Sequence, residues 1–276
     1  MDGFLCVYKP SGMTSFDVIA KLRKLLNTRH LGHTGTLDPQ ASGVLIVLVN
    51  KACKVLPYLK DTNKEYIATL QLGYDTDTED IWGNKMNEKA VQPIKDFPSL
   101  LQEFVGKQEQ LPPMVSAIKI NGKKLYEYAR ENVTVERPLR WIEVYEMECL
   151  DETELKFRCA CSSGTYIRSI CRDLALKSNN LGCMSSLVRT KVGRFDLDDC
   201  VSLQQIAEGN YELKSVDLLL DHYEQVQAEN VSDVMNGKRI RIQSDQQQVL
   251  IMNQQQPLAI YEKIGPCLYA SKRGLW

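Results

Sequence analysis

Hydrophobic and polar positions along the chain fall into short, changing periods, and each change of period marks an element. Gly3 to Tyr8 is an apolar run of strand length that stops at Lys9-Pro10. Pro10-Ser11-Gly12-Met13 has turn composition, and Thr14 stands three residues before Asp17, the spacing of a capping box. Behind it Val18, Ile19, Leu22, Leu25 and Leu26 lie on one helical stripe, with Lys21, Arg23 and Lys24 largely away from it, so this helix is predicted to pack on a sheet. Gly32 to Gly43, rich in glycine and small polar residues, reads as a structured loop before the strand Val44 to Val49. A short helix around Lys51 to Leu59 follows, then a strand around Glu65 to Leu72 whose alternation puts Tyr66, Ala68 and Leu70 on one face.

Further along, Pro93 to Phe104 reads as helix, Asn121-Gly122 as a turn, and Leu125 to Arg130 as a short helix. Strand-like runs dominate from Val133 to Ala160. The pattern then predicts a helix from Thr165 to Lys177, an extended stretch from Leu187 to Leu197, and a helix capped by Ser202 that runs to Glu208. Beyond Tyr223 short β-prone runs are separated by Asn236-Gly237, Gln246-Gln247-Gln248 and Gly265-Pro266. Two units are expected: 1–222, and a small β domain over 223–276 that leans on the first because it is near the lower size limit for folding unaided.

Composition narrows the function classes. No apolar run approaches the roughly 20 residues that span a bilayer. The opening Met1-Asp2-Gly3-Phe4 lacks the basic start and apolar stretch of a signal peptide, so a cytoplasmic location without membrane attachment is expected. Nine cysteines, an odd number without a CxxC pair, favour reduced and mostly buried thiols, and Cys159 and Cys161 fall on one face of a strand. With only His30, His33 and His222 available, no zinc site is expected. Asp75 to Glu79 carries the acidic spacing of a calcium loop, but the sixth and twelfth positions hold Asp80 and Met86, so calcium is rejected. A net charge of −1 does not by itself nominate a nucleic-acid binder. The basic residues are nevertheless grouped: Lys119, Lys123, Lys124, Arg130, Arg137 and Arg140 in one stretch, Arg168, Arg172, Arg189, Lys191 and Arg194 in another.

Gly32-His33-Thr34-Gly35-Thr36-Leu37-Asp38-Pro39, followed by Ala41-Ser42-Gly43, closely resembles the signature loop of the TruB family of pseudouridine synthases. Six further blocks match in order. They are Lys9 to Ser15, Lys64-Glu65-Tyr66, Pro112 to Lys119, Gly122 to Arg130, Ser163 to Arg168, and Leu187 to Thr190, covering the chain from residue 3 to about 195. One departure is Phe16, where family members often carry His; no chemistry is expected there.

The resemblance implies a mixed α/β pseudouridine synthase core on a largely antiparallel sheet, with a small C-terminal PUA-like β domain. It implies isomerisation of the T-arm uridine at tRNA position 55, flipped out of its stack, with no metal, nucleotide or organic cofactor. The implied partner is tRNA through its T arm, and a monomer without an obligate protein partner is expected. Breaking the bond from ribose C1′ to N1 and remaking it to C5 calls for a carboxylate. The resemblance places Asp38 there, either attacking covalently or abstracting a proton. Arg168 is the implied ion partner and Tyr66 the ring that stacks on the uracil, its hydroxyl available as acid or base. Tyr166 and Leu187 are implied as the apolar wall, and His33 as the wedge filling the vacated stack. Lys64, Lys119 and Lys124 are implied positioning contacts, and Lys123, Arg130 and Arg189 complete the RNA-backbone candidates. Two alternatives remain: a guide-RNA-dependent relative on the same core, and an RNA-folding chaperone without catalysis.

Overall fold

Alternation along Lys64–Leu72 builds the centre of the molecule: Tyr66, Ala68 and Leu70 are buried on one face, as expected, and Ile67, Thr69 and Gln71 face outward. In the computed structural model, which describes residues 2–60, 62–131 and 133–276 and so leaves out Met1 of the opening stretch, this strand is central to a nine-stranded sheet. The order across it is Gly3–Lys9, Ser42–Val49, Gly182–Val192, Lys64–Leu72, Lys156–Cys161, Arg140–Asp151 and Gly106–Gln110. Leu31–His33 adds to Ser42–Val49, and Phe195–Asp196 to Gly182–Val192. All pairings are antiparallel except that between Gly182–Val192 and Ser42–Val49, so the sheet is largely antiparallel and the fold mixed α/β.

The parallel pairing within this sheet sets the site. Val188 opposes Ser42 and Arg189 opposes Gly43. Gly43 has φ +113°, and a Cβ there would lie 2.1 Å from the Arg189 carbonyl oxygen, so glycine is required where the two backbones meet.

Helix Ser15–Leu25 begins at the predicted capping box, with Thr14 and Asp17 bonding reciprocally. Val18, Ile19 and Leu22 are buried against Leu5, Val7, Leu45 and Val47. Leu25 departs from the expected stripe at 41% exposed, because it lies on the edge of that stripe in the last turn. Phe16 is exposed, with the Arg23 guanidinium 5.8 Å from its ring centroid. The second predicted helix is a 3₁₀ helix, Asn50–Tyr58. The stretch expected to be helical from Pro93 is helical only over Phe97–Gln102. The Asp96 carboxylate caps the Ser99 amide and fixes the start.

Asn121 and Gly122, at φ 51° and 82°, form the turn between Lys119–Ile120 and Lys123–Lys124. Helix Leu125–Arg130 follows directly, as the sequence predicts. Helix Ile167–Lys177 packs Ile170, Cys171 and Leu174 under the sheet. Within Val133–Ala160 only Arg140–Asp151 and Lys156–Cys161 are strands.

The C-terminal part forms a separate five-stranded sheet in the order Glu224–Gln227, Gln248–Asn253, Gln256–Gly265, Leu268–Gly274 and Ile240–Arg241, consistent with a PUA-like module. It does lean on the larger sheet. Leu250, Met252, Ile260 and Leu275 share one apolar cluster with Phe4, Cys6, Val44 and Ile46. All nine cysteines are free thiols, and Cys267 alone is exposed. Among the described residues no helix is long and apolar enough to cross a membrane.

Candidate active site

The glycine-rich loop is pinned from two sides before any ligand arrives. On one side the Lys9 ammonium, fully buried, donates to the carbonyls of Pro10 and Pro39, 2.9 and 3.0 Å away, and to that of Met13. Burial pulls Lys9 down to about 8, opposed by the nearby Asp38 carboxylate. The Gly12 amide also donates to the Pro39 carbonyl, and Ser15 Oγ both accepts from the Leu37 amide and donates to its carbonyl. On the other side is Arg189, 1% exposed, which donates to the carbonyls of Val44 (2.8 Å), Gly35 (3.2 Å) and Thr36 (3.3 Å). As an RNA-backbone candidate Arg189 is therefore a correction. A strand arginine looks like surface charge in sequence, but this guanidinium is spent on three carbonyls that fix the loop. A second correction concerns where the loop begins: Leu31–His33 is a strand, because Ser42–Val49 offers it an unpaired edge.

Held this way, the loop presents Asp38 to Arg168. Arg168 Nε lies 2.9 Å from Oδ2 and Nη2 lies 3.2 Å from Oδ1, a bidentate pair. The aspartate side chain is 35% exposed and the arginine 5%, so the carboxylate meets the cleft while the guanidinium stays covered. Arg168 is locked further by donating to the Thr78 carbonyl at 2.8 Å and the Val115 carbonyl at 2.9 Å. Asp80 Oδ2 stands 3.9 Å from Nη1. Burial pushes Asp80 upward, with Thr78 Oγ1, Arg168 and the Trp82 amide opposing. The acidic stretch that superficially fits calcium thus serves the fold instead. Asp75 and Asp77 bond Asn87 and Asn84 across a hairpin, and the Glu79 carboxylate bonds Ser169 and Arg172 on the Arg168 helix.

A cleft of about 290 Å³ opens on this pair. Tyr66, Tyr166, Leu187, Lys64 and Arg189 line it with Asp38 and Arg168, so seven of the sequence-predicted residues meet in one place. Lys64 Nζ donates to Ser163 Oγ and the Thr62 carbonyl, each at 3.0 Å. Tyr166 is fixed by Gln110, which accepts from its amide at 2.8 Å and donates to its carbonyl at 3.0 Å. His33 lines a neighbouring cavity of about 230 Å³ that shares Thr34, Lys64 and Ser163 with the cleft. Burial, and then the Arg189 charge, lower its pKa, which favours a neutral ring.

Lys119, Lys123, Lys124 and Arg130 do not line the cleft. They sit on the hairpin and helix of 119–130, where Lys123 pairs with Glu131, and Lys124 and Arg130 flank the Tyr126 ring. In the C-terminal part Lys238 and Lys272 are paired with Asp233 and Glu262. Sequence reasoning named no role for Lys9, Asp80, Val115 or Ser116, all placed around the pair by tertiary contacts.

Tyr66 carries a pH prediction. Its phenol is pushed up to about 12 by burial, with the Arg189 guanidinium opposing. An unfolded tyrosine titrates near 10, so the fold holds the neutral form more tightly. That contribution is complete below pH 10 and is lost as pH rises toward 12. Urea unfolding is expected to show a decline over about pH 10 to 12, of which roughly 2 kcal/mol is absent in Tyr66→Phe.

The fold is that of the pseudouridine synthases. The chain matches a structure described as a Cbf5-Nop10-Gar1 complex at 24% identity and a TM-score of 0.74, covering 99% of this chain and 85% of that one. It matches an H/ACA RNP bound to a substrate RNA containing 2′-deoxyuridine at 23% identity and a TM-score of 0.72, covering 99% and 85%. Sequence comparison resolves the family. The model for the TruB family pseudouridylate synthase N-terminal domain matches residues 23–167, and that for the tRNA pseudouridylate synthase B C-terminal domain matches 168–225. Proteins named tRNA pseudouridine synthase B are similar over most of the chain. That of Oceanobacillus iheyensis is 41% identical, covering 89% of this chain and 86% of its own, and that of Bacillus cytotoxicus is 39% identical, covering 95% and 92%. The chain belongs to the TruB family of pseudouridylate synthases, which are isomerases.

Proposed function

We propose that this enzyme converts the T-arm uridine at tRNA position 55 to pseudouridine, acting alone, with Asp38 as the catalytic group. The observation that carries this reading is the bidentate Asp38–Arg168 pair, its carboxylate partly exposed to a cleft and its guanidinium covered. The pair keeps the carboxylate oriented as bound RNA displaces water from the cleft, where desolvation would otherwise favour its neutral form. Asp38 then either adds covalently to the target nucleotide, its bond breaking again as the product forms, or removes a proton; N1–C1′ breaks, C5–C1′ forms, the C5 hydrogen leaves as a proton and N1 takes one up. Tyr66 stacks on the uracil. Its raised pKa keeps the phenol protonated, a hydrogen-bond donor rather than a ready base. Tyr166 and Leu187 form the apolar wall, and a neutral His33 fills the space the flipped base leaves.

The cations of 119–130, with Lys119 and Arg130 exposed and Lys123 and Lys124 half-buried, are assigned to the RNA backbone, with Lys64 positioning the nucleotide beside Ser163. We further assign residues 1–222 to a catalytic domain and 223–276 to a small RNA-contacting module, in a monomer of the cytoplasm.

The test is a tRNA transcript incubated with the purified protein alone and mapped for pseudouridine. Conversion confined to position 55 supports the proposal; dependence on a guide RNA or on further proteins contradicts it. Binding is expected to weaken with salt, at a slope of roughly −0.7 to −0.9 per neutralised phosphate. Replacing Lys119, Lys123 and Arg130 together by Gln should flatten that slope by roughly two to three.

A further inference from the structure

Around the Asp38–Arg168 pair the buried hydroxyls are satisfied, with one exception. Ser15 Oγ bonds both polar groups of the Leu37 backbone, and Ser169 Oγ donates to Glu79. Ser116 is 6% exposed, and its Oγ is the only buried side-chain hydroxyl among the described residues without a hydrogen-bond partner. Ser116 also lines the cleft that Asp38 faces.

Its backbone is fully engaged. The amide donates to the Met114 carbonyl at 3.1 Å, and the carbonyl accepts from the Tyr126 amide at 3.1 Å. The surrounding strap, 111–118, contains neither helix nor strand and hangs on three arginines through its carbonyls. Arg172 reaches Leu111 at 3.2 Å, Arg137 reaches Pro112 at 2.7 Å, and Arg168 reaches Val115 at 2.9 Å. The Nη2 atom that holds Val115 is also the one 3.2 Å from Asp38 Oδ1. Ser116 therefore follows, by one residue, a carbonyl clamped by the catalytic pair itself.

A buried hydroxyl left unpaired destabilises the fold that contains it. Here no hydrogen bond holds its χ1 rotamer, so a rotation about one bond is all that is needed to turn it toward the cleft. We infer that the Ser116 hydroxyl is a substrate-contacting group, whose missing partner is an atom of the uridine on which Asp38 acts. A hydroxyl both donates and accepts, matching the carbonyl oxygens and N3–H of uracil and the ribose hydroxyl. This inference rests on the synthase reading above, and it adds a specificity contact from the strap to those from the loop and the helix.

The consequence is a pair of effects with opposite signs. Ser116→Ala removes the unpaired hydroxyl, so the free enzyme should melt at the wild-type temperature or a few degrees higher. The same change should raise KM and Kd for a tRNA transcript by roughly fivefold to twentyfold, with a smaller change in kcat. Ser116→Cys keeps the shape but donates weakly, and should fall between wild type and Ala in KM while melting like wild type.

Thermal unfolding, steady-state tritium release and transcript binding on the three proteins decide the matter. A Ser116→Ala protein that melts several degrees lower has lost a structural bond, and one with unaltered KM and Kd never lost a substrate contact. Either result overturns the inference. An inert wild type contradicts the synthase reading instead, and in that case transcript Kd alone rules on Ser116: a weakened Ser116→Ala supports the contact, an unchanged one overturns it.

Discussion

Asp38→Asn is expected to fold, to bind tRNA within a few fold of wild type, and to convert uridine at least about a thousandfold more slowly. The asparagine keeps the size of the side chain and one oxygen for Arg168, so the loop, pinned independently by Lys9, Ser15 and Arg189, stays in place. What disappears is the negative charge that adds to the nucleotide or takes its proton. Nucleoside analysis after long incubation checks the rate, and filter binding checks the affinity. An Asp38→Asn protein with a tenth of wild-type activity would remove Asp38 from the centre of the chemistry.

The second large effect belongs to Arg168, and it falls on the fold as well as the reaction. Arg168→Met leaves Asp38 without its partner and the Thr78 and Val115 carbonyls without their donors, all facing a nearly covered position. Removing one member of such a pair costs about 3–5 kcal/mol, against a total stability of only about 5–15 kcal/mol. Activity should vanish even in the fraction that remains folded, because nothing then orients the carboxylate. Arg168→Lys restores charge but not the planar fork, so it should recover part of the stability and little of the rate. Urea unfolding beside single-turnover kinetics separates the two losses. Equal activity in Arg168→Lys and wild type would show that the bidentate geometry is unimportant.

Much of the frame was legible because local pattern and tertiary context agree. Lys64–Leu72 alternates cleanly and becomes a central strand; Thr14 with Asp17 and Ser202 with Gln205 cap the helices they precede. Where an element depends on a distant edge, the local pattern is silent. Leu31–His33 has no alternation of its own and is a strand only because Ser42–Val49 lies beside it. Pro93 suggested an early helix start, but the Asp96 side chain supplies a better one three residues on.

The same division runs through the site. Asp38, Tyr66, Tyr166, Arg168 and Leu187 sit in dense motifs, and they converge on one cleft. Lys9, Arg189 and Ser116 lie in equally recognisable blocks, yet their placement depends on carbonyls, or on the lack of a partner, that no one-dimensional pattern contains. A basic residue reads as surface charge until the fold shows it buried. Arg189 at 1% exposure and Lys9 at 0% are the two clearest cases.

The most direct test of the central claim uses tRNA transcript tritiated at C5 of its uridines, because isomerisation leaves mass unchanged but releases that hydrogen from the converted residue. Wild-type protein, with no guide RNA and no partner protein, is expected to release one equivalent per tRNA, and none from a transcript carrying cytidine at position 55. Absence of release alongside tight tRNA binding, or undiminished release from the cytidine-55 transcript, would contradict the account.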